Sequence, residues 1–584
     1  MILKLIRRMF IAQVMASLTV TICAVIDNII TGQFLGVTAL AACGLANPVI
    51  LAIFAVTTLL SDGVRVTGGR FLGNGSQEDM DSVFSSSIAI SVIISVTFCV
   101  LVIIFRVPLA VLLGASGDTL INQTSDYILG YVIGAPAFMC SLVLIAFLEF
   151  AGQSGLIVAA TLGLTVSGVA SDLLNVYIFH GGMFGMGLAS AVSYYIALII
   201  TCSYFFSKQS IFKFSFAAVK LRKIRECIVG GAPTVYDLIF GLLLVFIMNY
   251  FLMAHGGDML VAVFAVVNTV GTLSKSVSLG ASGVSLTLSG VFYYEENRVE
   301  LRRLLREIIR VSTAAGALVG ILVSLFAASI ARLFIPETGS VQQTAVFALR
   351  CFSLGMIPCC LNCVLKSCYQ GTQRVTRMEV ISLLQNLILP AAAAWLVIKI
   401  GYVSGVWYYF LIGEVLTLLG VMISIWINKR RVTLRAEDVL LLRDDFGVPS
   451  NDVLEVNIHD IKDAMDASHA AETFCRAHGG SDRLASHMAL CFEEMSTNVL
   501  THGFLNNGHN SLSVLLQCKQ GLWTLRFRDD CSPFDPVRWL SKRGTEDLNE
   551  PVGIRLALKM ADSAHYTYSM NLNNLALYLR DDYL

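Results

Sequence analysis

In CFEEMSTNVLTHGF, residues 491–504, Glu494 and Asn498 stand four apart in a stretch with helical periodicity, so their side chains share one face. An Asn carbonyl oxygen suits magnesium, and a Glu beside it can orient or deprotonate a nucleophile attacking a γ-phosphate. Further on, RFRDDCSPFDP puts Asp529 at the end of an alternating, strand-like segment, where a carboxylate could accept an adenine amino group. PVGIRLALKMAD then sets Gly553 at a helix start, where bare backbone amides suit phosphate. Singly, each pattern also occurs on a solvated helix face or at an ordinary turn.

Charges inside apolar sequence form a second set. Asp27 lies in ICAVIDNIITGQFLG and Asp172 in GVASDLLNVYIFHGG, with Asn175 three residues on and on the same helix face. A carboxylate in a low-dielectric site can take up a proton or a cation, and its occupancy then alters helix packing. The alternative is a buried acid that only pins helices together. Asp237, Lys275 and Glu414 also fall within apolar runs. They either line a substrate cavity or pair structurally with one another.

These residues need elements to hold them. The 584 residues are 56% hydrophobic and only 14% charged, far from the roughly 25% charged of soluble domains. Twelve apolar runs are long enough to span a bilayer. They cover 9–33, 37–62, 83–105, 125–150, 155–179, 184–206, 229–254, 259–291, 309–334, 344–369, 378–400 and 405–428. The first is too long for a removable signal peptide. The fifteen Cys show no zinc-like spacing, and several sit inside the runs as small apolar packing residues. A formal net charge of zero suggests no nucleic-acid partner.

The loops at 207–226 and 297–310 and the segment NKRRVTLR after the last run are rich in Lys and Arg, and all fall on one side if there are twelve spans. The positive-inside rule then puts both termini in the cytoplasm. The halves also echo each other, YILGYVIGAP ending at Pro136 and FALRCFSLGMIP at Pro358. A six-helix unit repeated in parallel is typical of secondary transporters with the substrate between two lobes.

IDNIITGQFLG, LAACGLANPV, RFLGNGSQEDM and SDLLNVYIFHGGMFGMGLAS, in that order, resemble the multidrug and toxic compound extrusion (MATE) family over residues 5–430. The resemblance implies antiport of organic compounds against protons or sodium. It makes Asp27 and Asp172 the coupling acids, with Asn175 standing in for the family's Asn, whose place is taken by Gly168. Run 10 carries no acid, so coupling is expected in the first lobe.

After residue 430 the composition turns polar, with alternating segments and amphipathic helices that read as an α+β sandwich. The order and spacing of its three motifs resemble the histidine-kinase-like ATPase fold, in particular the anti-sigma-factor serine kinases. That resemblance makes Glu494 the base, Asn498 the magnesium ligand, His502 a nucleotide-site residue, Asp529 the adenine reader and Gly553 a phosphate-loop residue. Cys531 and Pro551 stand where that family has glycine.

The expected chain is thus an all-α membrane protein of twelve helices in two six-helix lobes, followed by a cytosolic α+β sandwich. The lobes cover 1–215 and 216–430, a linker 431–450 and an ATP-binding domain 451–584. It lies in the cytoplasmic (inner) membrane and exports a small organic substrate in exchange for protons or sodium, with ATP and magnesium in the tail. Two alternatives stand beside it. One is a membrane-anchored serine kinase acting on an anti-anti-sigma-type switch protein. The other is a lipid or oligosaccharide-intermediate flippase.

Overall fold

The computed structural model describes residues 2–207, 210–335, 339–401, 403–430, 436–443, 445–449, 452–504, 510–542 and 552–581. Among these residues ten helices are long and apolar enough to cross a membrane, and twelve spans result if two bent pairs each count as one. The first lobe holds α1 (Ile2–Ile30), α2 (Val37–Gly73), α3 (Gln77–Leu112), the bent pair α4 (Asp118–Val132) and α5 (Ala135–Phe150), α6 (Ser154–Leu174) and α7 (Gly182–Phe205). The second begins with α8 (Leu221–Tyr294), which makes two spans by turning back at Gly257, a glycine at φ 60°. It continues with α9 (Arg298–Phe334), the bent pair α10 (Ser340–Leu354) and α11 (Met356–Gly371), α12 (Val375–Leu383), α13 (Leu389–Lys399) and α14 (Tyr409–Lys429).

The two bends, 42° and 44°, have one cause. Each falls at a glycine (Gly134, Gly355) just ahead of a proline (Pro136, Pro358), which cannot supply the amide that would continue the helix. Three further interruptions are wide π-type turns, at Thr31–Leu35, Asn175–Phe179 and Leu384–Ile388. Such turns absorb one extra residue and frequently mark functional sites.

The C-terminal part is a five-stranded antiparallel sheet of β1 (Val453–Ile458), β2 (Leu512–Lys519), β3 (Leu522–Asp529), β4 (Ser563–Ser569) and β5 (Leu572–Arg580), in the order β1-β2-β3-β5-β4. Its helices are α16 (Ile461–Ala477), α17 (Asp482–Asn498), α18 (Pro536–Lys542) and α19 (Val552–Met560). Asp460 and Ser481 cap α16 and α17 with side-chain bonds to the amides of Asp463 and Leu484. Odd-numbered residues of β3 and β5, such as Leu525, Phe527, Leu575 and Leu577, join Met488, Phe492 and Ile554 in a core separate from that of the lobes.

Even-numbered residues of the same strands point the other way, as the pleat requires, and meet the membrane part. Glu295, between α8 and α9, receives Arg526 Nη1 at 3.1 Å and Arg528 Nη2 at 2.9 Å. Arg303 makes a two-pronged pair with Glu455 at 2.6 and 2.8 Å, and Lys519 pairs with Glu296. The first lobe is touched more lightly: the Met570 amide donates to Phe150 O at 2.6 Å.

Within the stretch expected as a linker, 431–450, the described residues 436–443 pack against the lobes. A short helix, α15 (Ala436–Val439), is followed by Leu440 and Leu442, both buried in the core of the lobes. Tyr369 Oη bonds Val439 O at 2.6 Å, and Arg298 and Arg302 both reach Glu437 at 2.6 Å. The apolar VLLL run makes this a strap against the second lobe rather than an open tether.

Candidate coupling and nucleotide sites

In the first lobe α1 and α6 each carry an acid just ahead of a π-type turn. Asp172 is buried and Asp27 half-buried. Their carboxyl groups lie in hydrogen-bonding contact. Two ionised carboxylates are acceptors only, so the contact needs a shared proton or an intervening cation. With both ionised, Asp172 Oδ2 has no donor among the described residues. Cys43, Thr31 and Tyr127 form a polar wall nearby, and Tyr131 and Tyr194 join hydroxyls at 2.9 Å.

Asn175 does not join the acids. Its Oδ1 accepts the Gly181 amide at 3.0 Å and its Nδ2 donates to Gly182 O at 3.1 Å. These two bonds engage its side-chain amide in the α6–α7 connection. Gly185 leaves it room, since a Cβ there would lie 1.8 Å from Asn175 Oδ1.

In the second lobe the three expected cavity residues fall into two groups. Asp237 accepts Lys366 Nζ at 2.6 Å, Ser382 Oγ at 2.5 Å and Asn386 Nδ2 at 2.6 Å. Glu414 accepts Asn362 and Gln385 amides, each at 2.8 Å. Lys275 stands over the Phe410 ring at 4.8 Å, within the field of Glu414. Both acids are thus engaged internally. Each lobe sets an acid of its first helix against its fifth, but in the second lobe a fixed ammonium, Lys366, holds the position of a counter-ion.

Sequence reasoning passed over Lys366, although a lysine inside run 10 is the very signal that singled out Lys275. It also passed over Arg65, just beyond the second run, and Glu149, at the end of the fourth. Here they form a buried network: Arg65 Nη2 reaches Glu149 at 2.6 Å and Nη1 reaches Asp62 at 2.8 Å. Thr287 of the second lobe donates to Glu149 at 2.7 Å, Thr234 to Asp62 at 2.9 Å, and Gln13 also binds Glu149. The network bolts the lobes together near the tail. Glycines bring the backbones close on that side: a Cβ at Gly63 would meet Cys227 O at 1.9 Å, and one at Gly231 would meet Leu59 O at 1.8 Å.

In the tail, Glu494 and Asn498 share a half-buried face of α17, and His502 is exposed in the wide turn 499–503 that follows. A Cβ on Gly553 would lie 1.8 Å from Glu494 Oε2, so α19 begins directly against that carboxylate. Asp529 is buried at the end of β3. Its Oδ1 accepts Asn573 Nδ2 at 2.7 Å and the Cys531 amide at 3.0 Å. Burial holds its carboxyl above the usual range, partly offset by Asn573 and Cys531. Burial and neighbouring Asp529 push the Cys531 thiol up to about 12, so it stands beside Asp529 as a neutral thiol rather than a reactive thiolate. Pro551 lies outside the described residues.

These residues fit a magnesium nucleotide. Asp529 offers a buried acceptor at a strand end, and Gly553 brings side-chain-free backbone beside Glu494. Asn498, whose side-chain oxygen suits magnesium, is the residue that would hold the ion against the phosphates.

Comparison with known proteins places both parts. Residues 13–174 and 233–396, more than half of the chain, match the MatE family model, and residues 460–579 match the histidine kinase-like ATPase domain model. The multidrug export protein MepA of Staphylococcus saprophyticus is 20% identical over 397 residues, covering 67% of this chain and 87% of that protein. A crystal structure of MATE in complex with MaL6 superposes with a TM-score of 0.67 at 20% identity, covering 72% of this chain and 94% of that one. An outward-facing multidrug resistance MATE family transporter gives the same TM-score and coverage at 21% identity. The chain belongs to the MATE family of multidrug efflux transporters, and carries a histidine kinase-like ATPase domain behind its last membrane helix.

Proposed function

We propose that the chain exports small organic compounds by exchange against protons or sodium, with coupling at Asp27 and Asp172. The observation that carries this reading is the contact between two acids that have no ion-pair partner among the described residues. A proton or cation taken up between them joins α1 to α6, and its release lets the helices part. The lysine-rich and arginine-rich loops support a cytoplasmic tail, at the cytoplasmic (inner) membrane.

In this reading the tail binds ATP and magnesium through Asn498, His502, Asp529 and Gly553. Magnesium supplies charge neutralisation across the phosphates. The tail changes the transport rate and does not power it, because the ion gradient does the work. Transport into vesicles under separately imposed proton and sodium gradients, with and without ATP, tests the whole reading. Gradient-driven export that falls away in both Asp27→Asn and Asp172→Asn supports it. Export that needs ATP hydrolysis and no ion gradient refutes it.

Glu494 against Gly553 favours a second reading, phosphoryl transfer to a switch protein of the anti-anti-sigma type. Incubating the full chain with labelled ATP and candidate switch proteins, beside a Glu494→Ala control, decides it.

A further inference from the structure

The tail is joined unequally to the two lobes. Toward the second lobe it has the strap, the Glu295 pairs with Arg526 and Arg528, and the Arg303–Glu455 and Lys519–Glu296 pairs. Toward the first it has the β4–β5 hairpin, whose strand β4 passes Gly75 and whose tip reaches Phe150. There Met570 is 4% exposed and belongs to the same apolar core as Phe150 of the first lobe and Val291 and Phe292 of the second. Its amide bonds Phe150 O at 2.6 Å. Gly152, at φ 72°, makes room for the tip, since a Cβ there would lie 2.3 Å from the Met570 carbonyl carbon. Met570 itself sits at φ 56°, a conformation uncommon for a bulky residue.

We infer that this hairpin tip is a latch: Met570 wedges into the seam between the lobes and holds the tail-side face of the transporter closed. The inference rests on the reading of the chain as a two-lobed exporter. Opening the tail-side face requires the lobes to part there. A rigid sheet bolted to one lobe cannot keep its hold on the other, so the lighter contact at Phe150 must break. The latch also reports on the nucleotide pocket. Asn573, which holds Asp529 at 2.7 Å, is three residues from Met570, and its neighbour Asn574 faces Glu295 at 3.5 Å.

Cys227 provides a native reporter. It is buried at the lobe interface, with its thiol 3.7 Å from Ser87 of the first lobe. We would measure its alkylation in the full chain in liposomes by peptide mass spectrometry, with Cys227→Ser identifying the site. Met570→Asp and the milder Met570→Ala should each raise the alkylation rate, by roughly tenfold, since a buried methionine side chain is lost from the seam. Conversely, Gln153→Cys with Asn571→Cys, bridged by a short cleavable thiol reagent, should stop transport and keep Cys227 protected until the bridge is cut. Unchanged alkylation in both Met570 variants, or full-rate transport through the bridged protein, overturns the latch. If the uncut and cut proteins both fail to transport, the exporter reading falls, while the Cys227 rates still decide the latch.

Discussion

Lys366→Met tests whether the second lobe carries its own fixed counter-ion. The Lys366–Asp237 pair spans 2.6 Å, with the lysine side chain 6% exposed and the aspartate 27%. At an effective dielectric near 20 two such charges attract by roughly 6 kcal/mol, much of which desolvation cancels. Removing one partner of a buried pair typically costs about 3–5 kcal/mol because the other is left uncompensated. Asp237 would keep Ser382 and Asn386 as donors and some access to solvent. Lys366→Met therefore belongs near the low end, at about 3 kcal/mol. Asp237→Asn should cost more, because the stranded charge is then the more deeply buried lysine. At about 2–4 °C per kcal/mol, Lys366→Met should lower the melting temperature of the detergent-solubilised protein by roughly 6–12 °C. Adding Asp237→Asn to Lys366→Met should recover most of that loss. A single variant that melts within about 1 °C of the parent, or a double variant no better than the single, would refute the pairing argument.

In a transport assay, Asp27→Asn with Asp172→Asn should be little worse than either alone, because residues that act as a unit are not additive; additive losses would separate the two acids. Asp529→Asn should show a signed pH effect on the stability of the tail. Burial raises the folded-state value of Asp529, so its stabilising contribution is full below the ordinary carboxylate value of about 4 and is lost as pH rises through the folded value. The Asn variant should therefore gain on the parent as pH rises above about 4 in urea titrations, and a constant difference would refute this. Gly553→Ala should weaken binding of a magnesium nucleotide by roughly tenfold in calorimetry, since the new methyl group displaces Glu494 or shifts α19. Unchanged affinity would remove that contact from the site.

The twelve runs were legible because bilayer thickness sets a length that composition reveals directly. The glycine-and-proline segments at Gly134 and Gly355 stood out as an echo between the halves, but the bends they cause did not, since apolar composition runs unbroken through both. Asp27 and Asp172 could be singled out because a charge in an apolar run stands out. Their partners could not: Lys366 meets Asp237 across 129 residues of sequence, and nothing local fixes such a pairing. Asn175 misled for a related reason. Helical spacing does put it near the face of Asp172, but the backbone of Gly181 and Gly182, which no local pattern singles out, takes up its side-chain amide. In the tail, alternation along β3 marked Asp529 as facing the core. It equally implied that Arg526 and Arg528 face outward, but not that Glu295 waits for them.

The strap moves the effective end of the membrane part beyond its last helix. Leu440 and Leu442 are almost wholly buried among the lobes, and Glu437 neutralises two arginines there. A chain emerging from the ribosome therefore cannot complete the second lobe until it has been made well past Lys429. A truncation at the hydrophobic boundary would strip the lobe of its own packing and expose an apolar groove, so its defects would be mistaken for loss of regulation. The cut that removes the nucleotide domain cleanly lies between Pro449 and Val453, beyond Phe446, whose ring stacks on Tyr293, and the buried Val448, which makes the strap, by folding order, the final element of the transporter rather than the first of the tail.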